Sequence, residues 1–326
     1  MLDGRMLIDA HLHPARLPTL KPAWLEWADR FGQGRWRAAY GPDGAVIPQA
    51  FDELLAAEGV DLAILLCEYS PKVTGIQPAE DLVPLLKHSP GRFAFLASIN
   101  PHLHYPVTAE LSRQAEPGAG GYGAIGGSGV SPGQQSGPPG QYGAAGLKIH
   151  PVHGGFSPAD PMLYPAYQAC AEAGLPVVVH CGTSSFPGSD NAMADPALLL
   201  PVLRDFPGLT VVLAHGGRGW WYDAAASLAM LHERVWIELS GLPPHRLPDY
   251  YARFDFERLA RKFIFATDWP GVPGIARNAR AVAGLGLAAD VLAGVLAGNA
   301  LAVYPGLAGR AAEPGSRQEP GRSTSS

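Results

Sequence analysis

Charge is scarce in this chain. Of 326 residues, 24 are Lys or Arg and 29 are Asp or Glu, for a net charge of −5. No block of lysines or arginines occurs, which argues against nucleic acid or an anionic membrane surface as a partner. Long apolar runs are missing too, since none reaches the ~18 residues needed to span a bilayer. The opening residues, MLDGRMLIDAH, lack the basic stretch and apolar run of a secretory signal. Cysteine is rare: Cys67, Cys170 and Cys181 are the full set. An odd number without paired spacing predicts free thiols in a reducing cytoplasm rather than a disulfide framework.

What the chain does have is apolar sequence, 47% of it, enough for one large core. Eight short apolar runs stand out, at 6–13, 62–68, 93–100, 145–150, 176–182, 210–216, 235–240 and 263–268. Many are rich in Val, Ile and Leu without clean polar alternation, as in strands buried on both faces of a parallel sheet. Helical patterns fall between most of them, at 48–59, 79–89, 160–174, 195–206, 222–233 and 256–262. Two more, 275–285 and 288–304, follow the last run. This alternation predicts an α/β chain folded as a (β/α)8 TIM barrel, ahead of an open sheet with a separate helical end. The barrel domain is expected over residues 1–306. Within it, 117–143 is nearly all Gly, Pro, Ser, Gln and Ala and predicts a flexible insertion; 307–326 predicts a disordered tail. Residues 14–48, after the first strand, carry Trp24, Trp27 and Trp36. They form either a lid-like insertion over the barrel mouth or packing against its wall.

Imidazoles and carboxylates recur at the strand ends. His11 and His13 end MLIDAHLH, and a spacing of two on a strand puts both side chains on one face. His180 ends PVVVH, and a buried imidazole needs partners for both nitrogens. His215 ends VVLAH before Gly216 and Gly217. Asp268 ends FIFATD, where burial is costly unless the carboxylate is paired or bound to metal. Together they suit a divalent-metal site at the mouth of the barrel. His215 is either a ligand of a second ion or a base beside a single one. Lys148, in GLKIHP, shares a strand face with His150 and is either a carboxylated bridge between two ions, a group holding a substrate carboxylate, or a side chain reaching water. Arg218, in GGRGWW, either offers a planar fork for a carboxylate or makes a loop salt bridge, and Trp220, Trp221 and Trp269 either offer faces for a ring or pack in the core. Glu68 and Asn100 either line the pocket or cap turns. His88, His102, His104, His153, His232 and His245 lie near prolines and polar residues and are expected at the surface. Cys181 follows His180 directly and is expected to face away from it.

The motifs IDAHLH, GLKIHP, VVVHCG, LAHGG and FATDWP, then GNALAVY, run in this order from Met6 to Tyr304. As a set they resemble the amidohydrolase superfamily, in the amidohydrolase-related branch that includes aminocarboxymuconate-semialdehyde decarboxylase and the resorcylate-type decarboxylases. HGGRGWWYD is similar to uncharacterised metal-dependent hydrolases of that branch. The resemblance implies that His11, His13, His180 and Asp268 hold one divalent metal, usually zinc. It makes His215 the catalytic histidine, with Asp268 as proton acceptor, and puts Lys148 where relatives with two metals carry a carboxylated lysine. The implied activity is hydrolysis of a C–N or C–O bond of a small molecule by metal-activated water, or non-oxidative decarboxylation of an aromatic or unsaturated acid. A third possibility is a binding barrel whose metal is only structural. A homodimer is compatible with the apolar barrel helices and not demanded by them.

Overall fold

The computed structural model describes residues 1–115 and 143–312. Eight parallel strands stand side by side in chain order. They are β1 (Ile8–Leu12), β2 (Leu62–Leu66), β3 (Phe93–Ser98), β4 (Leu147–Ile149), β5 (Val177–Gly182), β6 (Val211–Arg218), β7 (Val235–Glu238) and β8 (Phe263–Ile264). The segment after β8 closes the ring: Leu12 bridges Trp269 in parallel, the Asp268 N–H donates to His11 O at 3.0 Å, and the His13 N–H donates to Trp269 O at 2.8 Å. The predicted barrel forms, with all eight strands in the expected order. The helical connections follow local chemistry. Asp160 accepts from the Met162 N–H, and Gly174, left-handed at φ 66°, ends the helix Tyr164–Ala173.

The barrel interior has a simple parity. Ile8, Ala10, Leu62, Ile64, Leu66, Ala94, Leu96, Val178, Val212, Ala214, Ile264 and Ala266 form one buried cluster. Continuing the same faces toward the strand C-termini gives Glu68, Ser98, Lys148, His150, His180, Glu238 and Asp268, all buried. The polar layer therefore sits directly above an apolar one, as at the C-terminal mouth of barrel enzymes. Two strands break parity. On β1 the register shifts between Asp9 and Leu12, so Ala10 belongs to the inner cluster and Leu12 to the outer one. That irregularity turns His11 and His13 inward. On β6, Ala214 is already inner, and His215 comes in only because it is left-handed at φ 66°, followed by Gly216 and Gly217 at 54° and 78°. A Cβ on Gly216 would lie 2.2 Å from the Tyr251 hydroxyl, so glycine is required there twice over.

The opposite end is plugged by the C-terminal helices. Val303, Tyr304 and Leu307 join the inner cluster, and the Arg310 guanidinium donates to Phe93 O at 2.6 Å and to Pro90 O. The tail expected from residue 307 is thus displaced: a helix runs over Pro305–Ala312, held by the buried Leu307 and by Arg310. Residues 313–326 and most of the expected insertion, 116–142, lie outside the described residues. Among the described residues no helix is long and apolar enough to cross a membrane.

The three cysteines are free and buried. Burial pushes the thiols of Cys170 and Cys181 up to about 12 and raises that of Cys67 as well. Native protein at about pH 8 is therefore expected to resist iodoacetamide, with full alkylation only after unfolding. Intact-mass measurement checks this; fast alkylation of native protein would contradict it.

Candidate metal centre

His11, His13 and Asp268 converge from the two strand ends that close the barrel. Their donor atoms lie within 4.8 Å of one another, and all three residues are buried. The two Nε2 atoms stand 3.0 Å apart, and Asp268 Oδ1 is 3.5 Å from one and 3.7 Å from the other. Behind each imidazole is a fixed acceptor. His11 Nδ1–H donates to Glu238 Oε2 at 2.6 Å, and His13 Nδ1–H donates to Gln77 Oε1 at 3.1 Å. Those bonds leave both Nε2 atoms as lone pairs pointing at each other and at a carboxylate oxygen. Three acceptors without a donor repel, and a cation between them removes the repulsion.

The same arithmetic holds next door. His180 Nε2–H donates to Gly182 O at 2.9 Å, and His215 Nδ1–H donates to Ser240 O at 3.0 Å. Their remaining nitrogens, His180 Nδ1 and His215 Nε2, face each other at 3.1 Å. Burial holds His11, His180 and His215 well below the usual imidazole value, so they are neutral, the ligating form. The residues present therefore fit a divalent cation. His180, expected as the fourth ligand, is not in the tight trio; it stands with His215, whose ring centroid is 5.2 Å from that of His11. Asp268 is left-handed at φ 69°, a costly conformation of the kind held at functional sites.

Glu238 fixes the His11 tautomer, the arrangement that raises ligand basicity in metal sites. Burial pushes its carboxyl up to about 7. Glu238→Gln is expected to weaken metal binding roughly 10- to 100-fold. In the wild type, protonation of Glu238 removes an acceptor from His11, so affinity should fall as pH drops through about 7, and this step should be absent in the variant. Metal titration across pH checks both; equal affinity in the two proteins would contradict them.

Lys148 is buried, and its ammonium has no hydrogen-bond partner among the described residues. Burial lowers it, while Glu238, Asp268 and Glu68 pull the other way. Arg218 lines the same cavity, donating from Nε and Nη2 to Thr183 O at 3.2 and 2.9 Å. A Cβ on Gly241 would fall 2.2 Å from Arg218 Nη1 and 3.4 Å from Asp268 Oδ2, so that glycine leaves room for the guanidinium beside the carboxylate.

The cavity encloses about 350 Å³. Its apolar wall draws on two of the tryptophans after β1 and on none of Trp220, Trp221 and Trp269. Trp220 is 71% exposed and Trp269 packs on Phe51 and Tyr40; neither they nor Trp221 line the cavity. The aromatic surface comes instead from Trp24, Trp27 and Phe31 of the helix Pro22–Gly32 and from Phe186. Trp36 packs edge-on against Trp24 and Tyr40, away from the opening. His153 corrects an expectation: it is buried in the cavity, with Nδ1–H donating to Glu68 Oε1 at 2.7 Å and Nε2 3.1 Å from Ser184 Oγ. Glu68, set beside a turn role above, lines the pocket, and Gln77 and Glu238 were not singled out at all. Glu238 had a signal, a carboxylate ending the strand run VWIE; Gln77 had none.

The fold and this donor set fit an enzyme built on a metal-binding barrel. The chain belongs to the amidohydrolase family, whose model matches residues 8–306. No curated protein matches it. Among solved structures, an uncharacterised TIM-barrel protein, Bb4693 from Bordetella bronchiseptica, is similar at 20% identity, 93% of this chain, 99% of the other and a TM-score of 0.66. A probable 2-pyrone-4,6-dicarboxylic acid hydrolase from Acinetobacter baumannii, with citric acid bound, matches at 16% identity, 92% and 99% coverage and a TM-score of 0.56. A 5-carboxyvanillate decarboxylase from Novosphingobium aromaticivorans, complexed with manganese, matches at 15% identity, 93% and 96% coverage and 0.57.

Proposed function

We propose that this protein hydrolyses a C–N or C–O bond in a small carboxylate-bearing molecule, using one divalent cation held by His11, His13 and Asp268, with His180 beside them. The observation that carries this reading is the set of opposed lone pairs, each with its other nitrogen fixed, at the floor of a cavity that also contains a guanidinium. Bound there, a divalent cation such as Zn2+ polarises a carbonyl and lowers the pKa of water. The chain supplies the rest. Arg218 binds the substrate carboxylate as a fork, Asp268 accepts a proton from the attacking water, and neutral His215 takes up or returns one at Nε2. Trp24, Trp27 and Phe31 cover the opening and exclude water. Three buried free thiols support a reducing, cytoplasmic setting.

A second reading, non-oxidative decarboxylation, is favoured by one observation: a guanidinium and an aromatic wall share the cavity, which suits an aromatic or unsaturated acid. Incubation with lactones, amides and esters of such acids, and with the acids themselves, separates the two. Chelator-sensitive release of a new carboxylic acid supports hydrolysis. Release of carbon dioxide without water uptake transfers the reaction to the second reading. Turnover that survives chelation overturns both.

A further inference from the structure

Across the cavity from the first trio lies another set of donors. Glu68 and Gln77 are register partners in a short hairpin, Glu68–Ser70 against Gly75–Gln77, that follows β2. His150 lies one residue past the end of β4. Glu68 is 3% exposed and His150 4%. One oxygen of Glu68 is saturated: Thr74 Oγ1 donates to Oε1 at 2.5 Å, and His153 Nδ1–H donates to it at 2.7 Å. The other, Oε2, faces His150 Nε2 at 3.6 Å, too far for a hydrogen bond. Neither has another hydrogen-bond partner among the described residues. His13 borders this pair, and the donor atoms of His13, Glu68 and His150 lie within 4.8 Å of one another. The hairpin thus carries both a bare carboxylate oxygen and, at Gln77, the acceptor that leaves His13 Nε2 as a lone pair.

We infer that His13, Glu68 and His150 form a second position for a divalent transition-metal ion, alternative to the one at His11, His13 and Asp268. The inference rests on the reading that the centre holds a cation. His13 Nε2 offers a single lone pair, so the two positions share it and exclude each other, and an ion displaced from one is caught by the other. Two imidazoles and a carboxylate are an ordinary set for Zn2+ or Mn2+.

Equilibrium dialysis with Zn2+, backed by visible absorption of Co2+-loaded protein, tests this on full-length chains. Asp268→Asn should keep about one ion with a changed Co2+ spectrum. Adding Glu68→Gln, or separately His150→Gln, to Asp268→Asn should weaken binding at least about tenfold further. Gln at position 68 retains an oxygen for Thr74 and His153, and circular dichroism confirms folding. An Asp268→Asn protein that holds no ion while the wild type holds one overturns the second position alone. So do double variants that bind as tightly as Asp268→Asn. A wild type that binds no ion overturns this inference together with the reading beneath it.

Discussion

Replacing His13 by alanine is expected to leave the chain without bound metal and without turnover. His13 is the one residue common to both donor groups, and its Nε2 is 3.0 Å from that of His11. Its loss should therefore weaken binding by more than the roughly 100-fold that removing a partner behind a ligand costs. Folding should survive, because His13 lies past the end of β1 and its backbone N–H still donates to Trp269 O. A melting curve near that of the wild type, with metal absent, is the expected pair of results. Retained metal would place the centre elsewhere.

Arg218→Met is the second large effect. The guanidinium is held by Thr183 O on one edge, and its Nη1 lies beside Gly241 and Asp268 on the other. Methionine keeps much of the bulk and removes the fork. Hydrogen bonds to a charged group contribute about 1.5–3 kcal/mol, so kcat/KM for a carboxylate-bearing substrate should fall roughly 10- to 100-fold. The neutral ester of the same substrate should lose little, and metal content should be unchanged. An equal loss on both substrates would make Arg218 a support for the loop rather than a binding group.

The barrel was legible because buried parallel strands write themselves as apolar runs, and all eight were found. The end of each run was also informative, since a polar residue closing a buried strand, such as His180 or Asp268, has few tolerable places to go. Parity could not be read for His11, His13 and His215. A register shift in β1 and a left-handed residue in β6 turn them inward, and neither leaves a mark in hydrophobic pattern. Gln77 and His153 were missed because they act through tertiary neighbours: each meets its partner only once the hairpin after β2 folds over the mouth. The alternatives for the tryptophans could not be separated for the same reason. GGRGWW looks like an aromatic wall, yet Trp220 faces solvent, and the wall comes from a helix far away in sequence.

The most direct measurement is metal content per chain, taken on metal-replete wild-type protein and on His13→Ala. The expected result is about one ion in the wild type and none in the variant, because both donor groups pass through one lone pair. No ion in the wild type, or an equal amount in both proteins, would contradict the account.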